Sequence, residues 1–101
     1  MTSAMTFAEF EQSLKTKSPP RGLAPAVAAL WWAKKGDWDQ AHTIVMNADG
    51  RDAAWVHAHL HRVEGDAGNA AYWYRQAKKP AASGALDAEW QAIATALLGD
   101  D

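Results

Sequence analysis

An all-α fold is what this sequence predicts, and three observations predict it. Between residues 24 and 77, a shift of 29 residues superposes seven identical pairs: Ala24/Ala53, Val27/Val56, Ala29/Ala58, Gly36/Gly65, Asp37/Asp66, Ala41/Ala70 and Ala48/Ala77. A fixed-period echo with small residues at matched points marks stacked helical hairpins. No segment alternates apolar and polar residues over a sustained stretch, so none reads as a strand. Finally, helix-start and helix-stop residues bracket the apolar-periodic segments.

The elements follow in chain order. Thr6-Phe-Ala-Glu9 reads as a capping box, with Met5 and Phe10 placed as a hydrophobic staple. The helix it opens carries Phe7, Phe10 and Leu14 on one stripe and stops before Ser18-Pro19-Pro20-Arg21-Gly22, where two prolines remove donors. Pro25 suits the first turn of a second helix, which runs to Lys35. Gly36-Asp37 then breaks the chain: the glycine can take a left-handed cap, and the aspartate can cap a third helix over about Trp38 to Met46. After the turn Asn47–Arg51, Asp52 is the expected cap of a fourth helix ending near Glu64. Gly65-Asp66 repeats the break, and a fifth helix covers about Ala67 to Lys78. Asp87 opens a sixth, with Trp90, Ile93, Ala94, Leu97 and Leu98 on one face. These elements define one helical domain over 1–101, with a capping helix at 6–16, hairpins at 23–47 and 52–78, and a C-terminal helix at 86–98.

Composition narrows the function classes. A chain of 101 residues supports a single core without metal or disulfide staples. Net charge is −2 and the basic residues are scattered, which excludes the clustered basic face of a nucleic-acid binder. There is no cysteine, hence no disulfide framework and no thiolate chemistry, which fits a cytoplasmic protein. The first 17 residues carry Glu9 and Glu11 where a signal peptide has its apolar core. The longest apolar run, Leu23 to Ala33, contains a proline and is too short to span a bilayer, so no membrane partner is expected. The six tryptophans read mainly as space-fillers between Ala-rich helices.

Ala29…Gly36-Asp37-x3-Ala41 and Ala58…Gly65-Asp66-x3-Ala70-x3-Tyr74-x2-Ala77…Pro80 resemble the tetratricopeptide repeat. The second copy fits better than the first. The period is 29 against the family's roughly 34, and Pro25 stands where one copy should carry a large aromatic. The resemblance covers Leu23 to Pro80 and implies antiparallel hairpins in a right-handed array. It also implies a groove between the second and fourth helices with Asp52, Trp55, His59 and Arg62 as contacts. The block Trp55 to Arg75 further resembles a group of small uncharacterised microbial proteins, which implies no activity.

The fourth helix is the one place with candidate site chemistry. Val56, Leu60 and Val63 form an apolar arc with Trp55 and His59 at its edge, and His57, His61 and Glu64 fall opposite, at i, i+4 and i+7. Two histidines one turn apart can share a metal, and a carboxylate one turn on can complete three ligands. Yet His57-x-x-x-His61 lacks the internal glutamate of the metalloprotease signature, and His42 is the only histidine outside this helix. The preferred reading is therefore a structural one. In it His57 and His61 stay neutral, hydrogen-bonded to Tyr72, Asn69 or a backbone carbonyl, with no metal or cofactor. Arg62 and Arg75 are expected in solvent or paired with Glu64 and Asp66.

No nucleophile elbow, phosphate-cradling glycine loop or paired buried carboxylates occur, so the expected function is non-enzymatic: a scaffold or adaptor holding a peptide or protein. The competing reading is a small-molecule or divalent-metal site on His57, His61, Glu64 and Tyr72. A third is a homodimer that buries a tryptophan-rich face.

Overall fold

Thr6 starts the fold as its sequence context requires. Its hydroxyl accepts from the Glu9 amide at 3.1 Å, while Glu9 Oε1 accepts from the Thr6 amide at 2.9 Å. This capping box heads α1 (Phe7–Ser13) in the computed structural model, which describes residues 5–98. The remaining residues of the expected 1–101 domain lie outside the described ones. α1 is shorter than the expected 6–16 because its end tightens: the amides of Leu14, Lys15 and Thr16 bond the carbonyls three residues back, and hydroxyls add to them. Ser13 Oγ donates to the Phe10 carbonyl, and Thr16 Oγ1 donates to those of Ser13 and Ser18. Lys35 Nζ reaches across to donate to the carbonyls of Leu14 and Thr16 at 2.7 and 3.0 Å.

Four more helices follow as two matched pairs: α2 (Pro25–Lys34) with α3 (Trp38–Met46), and α4 (Arg51–Val63) with α5 (Ala67–Ala77). Gly36 and Gly65 sit at the breaks with φ of 88° and 84°. Asp37 accepts from the Gln40 amide at 3.0 Å and Asp66 from the Asn69 amide at 3.1 Å. A Cβ at Gly65 would meet nothing within 4 Å, so a substitution there acts through backbone conformation alone. Gly65→Ala is expected to cost about 1 kcal/mol, read from urea unfolding. A variant as stable as the parent would show that the break tolerates an ordinary residue.

The start of α4 corrects one expectation. Gly50, with φ of 100°, is its N-cap, and the helix begins at Arg51. Asp52 therefore lies inside the first turn, where its charge suits the helix terminus, and does not cap it. The last helix, α6 (Leu86–Leu98), starts one residue before the expected opener Asp87, which lies in its first turn.

α2 packs on α3, α4 on α5, and α3 on α4; α6 lies across both α2 and α4, and α1 rests on α6. Among the described residues there is no strand, and no helix is long and apolar enough to cross a membrane. Trp31, Phe10, Leu30, Leu60, Ile93 and Val56 are the largest fully buried side chains. Three of the tryptophans fill space while keeping their indole N–H groups bonded. Trp90 donates to the Leu30 carbonyl at 2.8 Å, Trp38 to that of Leu60 at 2.7 Å, and Trp31 to Ser13 Oγ at 3.1 Å. Phe10 stacks on Trp90 with ring centroids 5.8 Å apart. A second, smaller cluster forms where α4 meets α5, with Ala58, Ala70 and Tyr74 buried together. Val63, assigned to the apolar arc from the sequence, is 44% exposed because α4 ends there and its side chain lies past the core.

Candidate metal centre

The buried face of α4 is unusually polar. His57, His59 and His61 are all buried, on a helix that also buries Val56, Ala58 and Leu60. A helix can bury nearly all of its circumference only when neighbours cover it on several sides, and α2, α3, α5 and α6 all contact α4. The three histidines then part company according to which neighbour each one meets.

His57 and His61 face the seam with α3 and α5. There His42, one turn after Trp38 on α3, brings its ring against both of them. Nε2 of His42 lies 3.1 Å from Nε2 of His57, and one ring nitrogen from each of His42, His57 and His61 falls within 4.8 Å of the others. Flat aromatic walls hold the rings. Trp38 stacks on His42 with centroids 4.5 Å apart, and Trp73 of α5 stacks on His57 at 3.9 Å. His61 is oriented by Glu64, whose Oε1 accepts from Nδ1 at 2.5 Å. With Nδ1 carrying the proton, Nε2 of His61 is the nitrogen left with a free lone pair.

The electrostatics suit ligation. Burial, reinforced by His42 and His61, pushes the His57 imidazole down to about 4, and burial with His61 lowers that of His42 as well. Both rings are therefore neutral at neutral pH; Nε2 of one donates to Nε2 of the other, and moving that proton to Nδ1 frees the second lone pair for a metal. Three imidazoles, one of them oriented by a carboxylate, are the donor set of a transition-metal ion rather than of calcium or magnesium. In tetrahedral geometry with metal–nitrogen bonds near 2.0–2.1 Å, ligand nitrogens stand about 3.3 Å apart. The His42–His57 separation of 3.1 Å already matches that.

His59 belongs to a different network. Its Nδ1 lies 2.8 Å from Oε1 of Glu89 on α6, and Arg62 donates to the same oxygen at 2.7 Å. Tyr74 donates its hydroxyl to Oε2 of Glu89 in a buried hydrogen bond. Burial pushes the Glu89 carboxyl up, but the hydrogen bonds from His59, Tyr74 and Arg62 outweigh it and hold it below the usual value. Burial and the bond to Glu89 push the Tyr74 phenol up.

These positions redraw the sequence-derived sites. Of the four groove residues, His59 and Arg62 are engaged by Glu89, so α6 occupies the face that α2 and α4 present. Trp55 lies under Lys79, whose ammonium is 4.2 Å from its ring, and Asp52 lines a separate cleft beside Pro25 and Leu97. Among the alternative set, His57, His61 and Glu64 do converge. Tyr72 does not join them: it is 46% exposed and sits edge-on to Trp73. The expected partners of the histidines are replaced accordingly. Asn69 bonds Asp66, while His57 meets His42 and Trp73, and His61 meets Glu64. Arg62 pairs with Glu89 and the Gly84 carbonyl instead of Glu64 or Asp66.

Two site residues were not picked out from the sequence. His42 carried a signal in its i, i+4 spacing from Trp38, which places an imidazole on the same face as a large aromatic. Glu89 stands one turn before Ile93 on the apolar stripe of α6, a position where an acid needs a buried partner. No protein-family model matches this chain, and neither does any curated protein or solved structure.

Proposed function

We propose that this protein binds one divalent transition-metal ion through His42, His57 and His61, with Glu64 orienting His61. The convergence of three imidazole nitrogens within 4.8 Å of one another carries the reading. Packing alone needs no three-histidine junction, since apolar side chains of similar volume would fill the seam without polar atoms to satisfy. The paired helices α2–α3 and α4–α5 serve in this reading as a tetratricopeptide-like frame that brings donors from α3 and α4 together. A scaffold role remains the second reading. The fit of α6 against α2 and α4 gives it a limited surface, because a peptide would have to displace that helix.

The test is titration of metal-stripped protein with zinc, nickel or copper(II), followed by calorimetry and by tryptophan fluorescence. Copper(II) and nickel should quench, because Trp38 and Trp73 stack directly on two of the ligands. The expected result is one equivalent bound, with a gain of about 2.7 kcal/mol in stability when free metal is 100 times Kd. His42→Ala and His61→Ala should abolish binding, and Glu64→Gln should weaken it about 10- to 100-fold. Absence of heat, quenching and thermal shift with all three metals would overturn the reading.

A further inference from the structure

Counting the donors around the three histidines leads one step further, resting on the metal-binding reading above. A structural zinc site closes its tetrahedron with four protein ligands, whereas a reactive one supplies three and leaves the fourth position to water or substrate. This chain has no cysteine to offer. Among the described residues the carboxylates of Glu64 and Asp66 group with His61, but neither joins the set that contains His42 and His57.

Both acids also have other work. Glu64 Oε1 holds Nδ1 of His61, and Asp66 accepts from the backbone and side chain of Asn69 as the cap of α5. Turning either one into a fourth ligand would free the ring it orients or undo that cap. Trp38 and Trp73, the walls over His42 and His57, present aromatic faces with no lone pair suited to a metal. His57 and His61 are buried while His42 is half-buried, so the centre meets solvent on the α3 side.

We infer that an ion held by His42, His57 and His61 keeps one exchangeable coordination position. Water fills it and a small monodentate anion can replace that water. The chemistry this opens is that of a polarised metal-bound water, namely hydration or hydrolysis of a small electrophile reached from the His42 side.

Cobalt(II) in place of the native ion reads the coordination shell directly through its visible absorption. Wild-type protein loaded with one equivalent of cobalt(II) and titrated with sodium azide should show a saturable change in the visible bands while remaining the same mass by light scattering. Glu64→Gln, loaded at higher cobalt, should keep the azide response. Three results would overturn the inference. One is a cobalt protein indifferent to azide. Another is a response that appears only in Glu64→Gln, which would identify Glu64 as the fourth ligand. The third is cobalt-driven doubling of mass with no azide response, which would place a second copy's side chain at that position. Failure to take up cobalt at all, together with silence toward zinc, nickel and copper, would remove the metal reading and this inference with it.

Discussion

Glu89→Ala is expected to lower the unfolding free energy by about 3–5 kcal/mol, the range for removing one member of a buried charged pair. Glu89 is 8% exposed and accepts hydrogen bonds from His59, Arg62 and Tyr74, which come from α4 and α5. Alanine would leave the buried His59 and Tyr74 donors facing a space with no acceptor, and the half-buried Arg62 would keep only its bond to the Gly84 carbonyl. The loss also detaches α6 from α4, since this network is its polar anchor beside the packing of Trp90, Ile93 and Ala94. Glu89→Gln keeps the volume and one acceptor and should cost less, about 1.5–3 kcal/mol. A double-mutant cycle with Arg62→Ala separates the pairwise part, expected to exceed 1 kcal/mol for groups sharing one network. Urea denaturation of the wild type and the four variants measures all of this. A Glu89→Ala loss below about 1 kcal/mol would mean that these hydrogen bonds stabilise no more than a solvent-exposed ion pair does.

Set against the sequence, the fold was legible wherever its cause is local. The capping box at Thr6, the proline at the head of α2, the glycine caps at Gly36 and Gly65 and the aspartate caps at Asp37 and Asp66 all depend on residues within one turn. The six helices follow from those signals and from the apolar stripes between them. Even here a local signal misled at Asp52, because Gly50 can adopt a backbone that starts the helix earlier.

The candidate site was half legible for the opposite reason. His57, His61 and Glu64 share a helix, so helical spacing alone brings them to one face. His42 joins them from α3, and no periodicity along the chain reports how α3 lies against α4. Glu89 lies 30 residues from His59, and its partnership depends on α6 settling over α2 and α4. The groove implied by the tetratricopeptide resemblance fails to appear as an open surface on the same account. The face that α2 and α4 present is covered by the chain's own last helix.

The metal-free protein is expected to lose stability on acidification in two stages, and the first is set by His57. Its surroundings are His42 from α3, His61 on its own helix and Trp73 from α5, and among the described residues no carboxylate bonds it. Burial, with help from the two neighbouring imidazoles, depresses its folded-state value to about 4 from 6.5. A depressed value means that the unfolded chain takes up the proton first, so stability is fully present above about pH 6.5 and falls as pH drops toward 4. A shift of that size is worth about 3 kcal/mol. His42, also lowered, adds in the same direction. Glu89 contributes the second stage: its carboxyl is held below the usual value of 4.5, so its contribution is present above that pH and lost as acid protonates it. Chemical denaturation between pH 8 and pH 3.5 should therefore show a slope beginning near pH 6.5, well before any carboxylate titrates. His57→Phe keeps an aromatic against Trp73 and removes the titrating ring, and it should flatten the limb between pH 6.5 and 4 while leaving the lower one intact. Saturating zinc sharpens the distinction. Metal must be displaced before His57 can protonate, so the wild type with zinc should be more stable at pH 7 and lose that gain steeply as the pH falls. A wild-type profile that is flat from pH 7 to 5 would contradict the neutral, buried state of His57, and with it the electrostatic basis of the site.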